Sequence, residues 1–437
     1  MAWYEAGALL VGIILVLMAV RMPVAFAFLL ANLIGALVFI GGEAAIKQLL
    51  ANATTSVTTF ALVPVPLFLL MGELFFHTGV AARVFDVFDK LLGNLPGRLA
   101  YLTVGGGTLF AALSGSSIAN TAMLGSTLLP QMTERGYKHH LSMGPIIATG
   151  GLAIMIPPSA LAVLLGSIAQ IDIGRLLIAG LLPGVVLAGL YGLVIFVSVR
   201  IDPGAAPQYP VEAVSLGTKL RLAVVNLLPM GGVIFLVVGL IILGIATPSE
   251  AAAFGVLGVL LVAAGFRALT WPAILASLRG TLRVTGMVFL IILGSSTFSQ
   301  ILAFSGASSG LIRWAAELEV APLAVLAAML LILLVLGMLM ESVSIMMLTV
   351  PIFFPLLGTL GYDPIWFGVL MLLVLEISLA TPPFGLGLFV LLGVAPPGTS
   401  LPQVVAASLP YLLCGILLAV LLIALPQLAL WLPSLMR

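Results

Sequence analysis

One motif is written twice in this chain. Residues 113–137 read LSGSSIANTAMLGSTLLPQMTERGY and residues 338–362 read MLMESVSIMMLTVPIFFPLLGTLGY, so Pro130, Gly136 and Tyr137 return as Pro355, Gly361 and Tyr362 at a constant spacing of 225. A double proline follows each copy at the same spacing, Pro157-Pro158 in AIMIPPS and Pro382-Pro383 in SLATPPFG. Further on, Gly166 matches Gly393 and Pro183 matches Pro410, both 227 apart, as one two-residue insertion explains. The chain is a duplication whose repeated unit is apolar and broken by proline. Such units are the best sequence pointer to the binding site of a secondary transporter.

Composition fixes the solvent. Of the residues 62% are hydrophobic and 7% charged, against roughly a quarter charged in a soluble domain. Apolar stretches of span length recur and the short alternating segments of a barrel do not, so the expected class is an all-α polytopic membrane protein. A net charge of +1 implies no nucleic-acid partner. The single cysteine, Cys414, lies in an apolar run, which excludes disulfides and cysteine metal sites and leaves packing as its role. The hydrophobic start lacks a basic leader and an obvious cleavage site, and reads as a first span.

Apolar segments are expected near 5–20, 22–41, 57–78, 99–130, 141–169, 176–200, 222–244, 249–266, 284–305, 321–356, 365–394 and 404–433. The longest polar break, DPGAAPQYPVEAVSLGTK from Asp202, is a linker between the repeats. The expected organisation is N-terminal scaffold helices over 1–80, a first repeat over 81–200, a linker and central scaffold over 201–283, and a second repeat with a C-terminal span over 284–437.

Segments 99–130 and 321–356 are too long for one span and too short for two, and both carry polar or glycine residues near the middle. A re-entrant hairpin suits each. With every other segment crossing once, Arg21, Arg83, Lys90, Arg98, Arg135, Lys138, Arg200, Lys219, Arg221, Arg267, Arg279 and Arg283 share one face, against Lys47, Arg175, Arg313 and Arg437 on the other. The first face is then cytoplasmic, both termini lie outside, and the two hairpins enter from opposite sides. Inverted repeats of broken helices permit alternating access.

The first tip holds Ser114, Gly115, Ser116 and Ser117, with Asn120 and Thr121 opening the next arm. Non-helical backbone at membrane depth is tolerated where it lines a cavity or is buried in protein. Glycine permits close approach, hydroxyls offer lone pairs, and a helix N-terminus offers free N–H groups, so a hard cation and a carboxylate can share the place. Small residues serving only close helix packing are the simpler reading of GSS in isolation. The double prolines remove N–H donors and free upstream carbonyls. The candidates are those of Ala153, Ile156 and Pro158, and in the second repeat those of Ser378, Thr381 and Phe384.

Glu341 stands where the first repeat has Ser116, and is open as a cation ligand, a helix cap or a proton carrier. Glu73 and Glu376 sit in apolar spans without an evident sequence partner, open between function and satisfied core polarity. His77 reads as interfacial and His139-His140 as a solvated loop. No nucleophile elbow, intramembrane aspartate pair or metal-spaced histidines support an enzyme such as an intramembrane hydrolase. A channel would need a ring of pore residues.

These motifs resemble those of the large membrane subunit of tripartite ATP-independent periplasmic (TRAP) transporters, the DctM family. The resemblance runs through PLFLLMGELFFHTG from Pro66, LPGRLAYLTV from Leu95, FAALSGSSIANTAMLGSTLLPQM from Phe110 and GYKHHLSMGPIIATGGLAIMIPPS from Gly136. It continues in GRLLIAGLLPG from Gly174, LGMLMESVSIMMLTVPIFFPL from Leu336, GYDPIWFGVL from Gly361 and TPPFGLGLFV from Thr381. It implies an elevator-type importer of a small organic carboxylate in a bacterial inner membrane, coupled to two or more Na+ ions. It also implies a separate small four-helix membrane subunit, a periplasmic substrate-binding protein and contact with membrane lipid. By the same resemblance, one sodium site maps to Ser114, Ser116 and Ser117 with the carbonyls from Ala153 to Pro158. The other maps to Gly337 with Ser378, Thr381 and Phe384. The family usually has glycine where this chain has Ala153 and Ser378. Substrate contacts are expected between the tips, at Asn120, Thr121 and Ser159. A stand-alone sodium-carboxylate symporter of related fold is the alternative.

Overall fold

The computed structural model describes residues 1–20, 22–208, 215–317, 321–382 and 385–436, and those residues form helices and their connections without a strand. Arg21, the linker centre 209–214, Glu319, Pro383, Phe384 and Arg437 lie outside the described residues.

The chain opens with α1 (Trp3–Ala19), α2 (Val24–Phe39), α3 (Gly42–Val57) and α4 (Pro64–His77). Then comes a unit that occurs twice. A short amphipathic helix, α5 (Val80–Leu92), leads into α6 (Arg98–Ser114) and α7 (Ser117–Glu134), which pack on each other across a two-residue tip. A broken pair follows, α8 (His139–Met155) and α9 (Ala160–Ala169), bent by 42°, and then the long α10 (Ile173–Ile201). The second copy has the same order. It consists of α16 (Ala307–Glu317), α17 (Pro322–Gly337) and α18 (Ser342–Leu360), then α19 (Pro364–Leu379) and α20 (Leu386–Val394), then α21 (Leu401–Ala424).

Between the copies, α11 (Leu216–Leu222), α12 (Leu228–Ile234) and α13 (Leu240–Ile242) are joined by two π turns into one apolar run, Gly217–Ile242. It is followed by α14 (Pro248–Gly265) and the 34-residue α15 (Trp271–Phe304), and α22 (Gln427–Ser434) closes the chain. Among the described residues six helices are long and apolar enough to cross a membrane, or up to seven with the bent pair as one.

Three expectations need correction. The amphipathic α3, α5 and α16 fall in stretches assigned no apolar segment, because one polar face lowers their mean hydropathy below that of a span. The segment expected from 284 starts at Trp271. There Thr270 accepts the Ala273 N–H (3.4 Å) and Pro272 sits in the first turn, where its missing donor costs nothing. The last expected segment, 404–433, is broken at Leu425-Pro426 into α21 and α22.

Packing explains the order of the helices. Residues 141–155 of α8 and 365–378 of α19 are all buried, as befits helices apolar on every side. Around α8 stand α6, α7, α10, α19 and α21, while α17, α10 and α21 enclose α19. The four helices of the broken pairs thus run through one body. A second group packs beside it, with α15 against α2, α3 and α4, and α14 against α4. Large apolar side chains face outward from α10, α14 and α21, among them Phe196, Leu261 and Leu413, and form the surface a bilayer would cover.

Polar fastenings hold the ends. Arg98 is 6% exposed and its guanidinium bridges Asp89, with Nε–Oδ1 at 2.8 Å, tying α5 to α6. After α7, the Lys138 backbone N–H donates to Ala205 O (2.9 Å) and its ammonium meets the Asp202 carboxylate, so the linker's first residues are stitched to the first repeat. The hydrogen bond from Lys138 holds the Asp202 carboxyl below its usual range. A lowered folded value means that the contribution is complete above the ordinary aspartate pKa, about 3.9, and lost as pH falls through the lowered one. Thermal melting at low salt should therefore show an acid-side loss in the wild type that is smaller in Asp202→Asn.

Candidate functional site

Both tips come to one place. The first turns at Gly115, whose φ of +60° ends α6 in the left-handed region that glycine adopts without cost. Ser116 then caps α7 by accepting the Ala119 N–H (3.3 Å). A Cβ on Gly115 would sit 3.1 Å from Pro158 O, so the tip lies directly against the double proline of its own repeat. At the second tip, Glu341 caps α18 by accepting from Val343 N (3.4 Å), Ser344 N (3.2 Å) and Ser344 Oγ (3.0 Å). Of the roles open for Glu341, the cap is the one its hydrogen bonds display. Gly337, at the end of α17, is packed so closely that a Cβ there would fall 2.2 Å from both Cβ and Oγ of Ser378.

The tips and the breaks enclose a cavity of about 400 Å³. Gly115, Ser116 and Ser117 line it from the first tip, Glu341, Ser342 and Val343 from the second. Ala160 and Leu161 line it beyond the first break, and Leu379 and Leu386 on either side of the second. Val65 and Leu69 of α4 with Val284, Met287 and Val288 of α15 close the other wall. The first residues of α7, α9, α18 and α20, namely Ser117, Ala160, Ser342 and Leu386, all lie on this lining. Four helix N-termini therefore converge, each equivalent to roughly half a positive charge. Such an arrangement attracts an anion, at about 0.3–1 kcal/mol per terminus.

Oxygens suited to a hard cation lie beside it. The Ser116 and Ser117 hydroxyls, the Pro158 carbonyl and the Glu341 carboxylate come from the tips and the first break. In the second repeat, Ser378 O accepts from Thr381 N (3.1 Å) and Thr381 O from Gly385 N (3.1 Å), so among the described residues these carbonyls each have one partner rather than none. A carbonyl oxygen carries two lone pairs. Thr381 Oγ1 donates to Ile377 O (2.7 Å) and Ser378 Oγ to Leu375 O (2.7 Å), which leaves hydroxyl lone pairs free to accept a cation. Ala153 and Ile156 are buried in and just after the last turn of α8. Phe384 lies outside the described residues.

The residues expected to touch substrate stand one layer back. Asn120 is 0% exposed, and its amide donates to Thr149 O (2.9 Å) and Gly107 O (3.4 Å), bracing α7 against α6 and α8. Thr121 is buried in the same seam, and Ser159 caps α9 by accepting the Ala162 N–H (3.2 Å). None of the three is on the cavity lining. Packing and capping take up the Asn120 amide N–H groups and the Ser159 hydroxyl, while Asn120 Oδ1 is buried without a hydrogen-bond partner among the described residues.

Ser342, Ala160 and Leu386 were missed because apolar and small residues carry no chemical label. Their signal was positional, as the first helical residue after each break. Other expectations are settled locally. Glu73 has a partner one turn away, His77, with Nε2–Oε2 at 3.2 Å and both side chains about a third exposed. Cys414 is buried and its thiol donates to Pro410 O, a packing role. His139 is exposed, whereas His140 is half-buried and its carbonyl accepts from Tyr411 OH (3.2 Å).

The chain matches known proteins along most of its length. The ectoine TRAP transporter large permease protein TeaC of Halomonas elongata is 30% identical over 431 residues, covering 98% of both chains. The C4-dicarboxylate TRAP transporter large permease protein DctM of Pseudomonas aeruginosa is 34% identical over 382 residues, 86% of each. Among solved structures, MtrF of Neisseria gonorrhoeae superposes with a TM-score of 0.61 at 14% identity, covering 89% of this chain and 85% of that one, a likeness of fold. The family model for the tripartite ATP-independent periplasmic transporter, DctM component, matches residues 11–428, and the chain belongs to that family.

Proposed function

We propose that this chain is the sodium-coupled large permease of a tripartite importer of a small organic acid, working by an elevator motion. The observation that carries the proposal is the convergence of four helix N-termini and two tips on one cavity. Family membership makes the chain a transporter subunit and an integral membrane protein, not an enzyme. The names of its relatives, an ectoine and a C4-dicarboxylate permease, support a small organic acid as the substrate.

The substrate carboxylate sits at the N-termini of α7, α9 and α20, whose N–H groups are aimed at it. The N-terminus of α18 is already answered by Glu341, which instead gives negative charge to a cation. Na+ takes the tip hydroxyls of Ser116 and Ser117 with the carbonyls between Ala153 and Pro158. A second Na+ lies by Gly337 with Ser378 and Thr381; the Ser114 side chain and Phe384, expected at the two sites, lie outside the described residues. Co-binding of cation and anion at neighbouring helix ends offsets their charges, so neither ligand is stable in the cavity alone and transport is coupled. Asn120, Thr121 and Ser159 hold the frame that aims these groups.

The body packed around α8 and α19 is the moving part, sliding against the group formed by α2, α3, α4, α14 and α15. The chain lies in a bacterial inner membrane with both termini periplasmic, its two tips entering from opposite faces. It works with a small four-helix subunit and a periplasmic binding protein. Proteoliposomes holding the chain, that subunit and the binding protein, given succinate under an imposed sodium gradient, test the reading. Uptake that needs both sodium and the binding protein is expected; full-rate uptake without the binding protein would mark a stand-alone symporter. Ser116→Ala combined with Ser117→Ala removes two hydroxyl ligands and the α7 cap, a cap being worth about 1 kcal/mol. The variant should insert normally and require a higher sodium concentration for half-maximal uptake. An unchanged sodium response would remove the first site.

A further inference from the structure

A second cavity, of about 530 Å³, lies between the same two groups of helices. On one side it is lined by Asn52 and Ser56 of α3 and by Ser295, Ser299 and Gln300 of α15. On the other stand Ser167 of α9, Gln170 and Pro351 of α18. Hydroxyls and amides dominate this lining, and no charged side chain is on it among the described residues. Gln300 Oε1 is buried there without a hydrogen-bond partner among the described residues. A buried polar atom left unpaired calls for a water or a ligand.

The two cavities share their supports. Along α15, Val284 and Val288 line the tip cavity, while Ser295 and Ser299 line the second one. Each serine stands eleven residues after its valine, close to three full turns, so both occupy the same face of the helix about 16 Å further along. Along α9, Ala160, Leu161 and Leu164 line the tip cavity and Gly166 and Ser167 the second. On the remaining wall Val65 and Leu69 give way to Leu62, Thr59 and Ser56. The wall facing the moving body is therefore apolar beside the tips and hydrogen-bonding three turns away. One polar contact marks the present position, since Ser295 Oγ donates to Met347 O of α18 (3.2 Å). A slide of α18 along α15 must break it.

We infer, resting on the elevator motion proposed above, that the second cavity is the stationary half of a second substrate position, in which Ser299 and Gln300 hydrogen-bond the carried organic acid. A slide of about 16 Å brings the tips opposite these residues, with Ser295 and Ser299 in the places of Val284 and Val288. Arg279 and Arg283 come just before the apolar wall, so that wall lies at the cytoplasmic end and the hydrogen-bonding wall at the periplasmic end. The acid meets O–H and N–H donors where it enters and valine and methionine side chains where it leaves. Neutral donors suit this role, because they hold a carboxylate or hydroxyl without the fixed charge that would retain an anion. The hydrogen bonds given up on the inward stroke weaken binding at the cytoplasmic position and favour release there.

Exchange of succinate across proteoliposomes holding the chain and its small subunit, with the binding protein outside, tests this. In Ser299→Ala combined with Gln300→Leu, the succinate-loaded binding protein needed for half-maximal exchange should rise about tenfold, as the loss of two hydrogen bonds implies. The internal succinate needed for half-maximal exchange should stay the same, which a general loss of structure would not allow. Val288→Ser should lower the internal value alone. Should the double variant fail to fold, Ser299→Ala by itself is expected to raise the external value about threefold. In a Cys414→Ala chain, a bifunctional thiol reagent should join Val343→Cys to Val288→Cys and, in separate molecules, Val343→Cys to Ser299→Cys. The inference is overturned by equal shifts on the two sides, by no shift on either, or by a Val288 cross-link without a Ser299 one. Side-specific shifts are read whether or not exchange depends on sodium. Sodium-indifferent uptake by the unaltered protein is thus a failure of the ion sites at the tips, and equal shifts with sodium-driven uptake intact are a failure of the second position.

Discussion

Ser116→Asp is expected to leave the protein folded and to cut uptake of succinate by roughly a hundredfold. Aspartate is as good an N-cap as serine, so α7 keeps the hydrogen bond that Ser116 now accepts from Ala119 N. What changes is the charge on the cavity wall, where the new carboxylate joins Glu341 on a lining otherwise free of charged side chains. Like charges brought together in a poorly solvated site cost several kcal/mol, and about 3 kcal/mol corresponds to a factor near 100 in binding. The same charge should retain sodium more tightly. Uptake in proteoliposomes and thermal melting of the purified variant are to be measured together. Normal melting with undiminished uptake would show that the anion does not bind where the helix N-termini converge.

The second large effect belongs to Gly337. Gly337→Ala puts a methyl group where Cβ and Oγ of Ser378 already stand, 2.2 Å from each. Backbone rather than a free side-chain end must yield, and overpacking of this kind costs about 1–3 kcal/mol. Because Gly337 ends the arm that carries the second tip, the tip is displaced from the break in the α19–α20 pair, and uptake should fall further than stability does. Adding Ser378→Gly removes both obstructing atoms and should restore most of the loss. A double variant as defective as Gly337→Ala alone would mean that this contact is not what positions the tip.

The two predictions rest on different sources of knowledge. That the tips exist, and where, was legible in the duplicated motif, because glycine, serine and proline interrupt an apolar helix for local reasons. The same local chemistry marked the breaks at Pro157-Pro158 and Pro382-Pro383. What was not legible was partnership. Asn120 reads in isolation as a ligand, yet its NH2 group donates to Thr149 O and Gly107 O on two other helices, and its Oδ1 is buried without a partner among the described residues. Glu376 finds Tyr191 185 residues away, and no spacing in the sequence announces that pair. Even the Glu73 partner one turn along was overlooked, since an i, i+4 pair in an apolar span resembles two unrelated polar residues.

The sequence by itself determined the membrane setting, the duplication, the positions of tips and breaks, and the family, all of which depend on residues near one another along the chain. Tertiary structure alone decided that Ser117, Ala160, Ser342 and Leu386 begin four helices on one cavity, that Glu341 caps α18, and that Glu376 is enclosed beside a water-sized space. The physical reason is that a helix N-terminus and a buried cavity are properties of backbone ends brought together by packing. Apolar residues such as Ala160 and Leu386 contribute to both without any side-chain chemistry that a sequence can display.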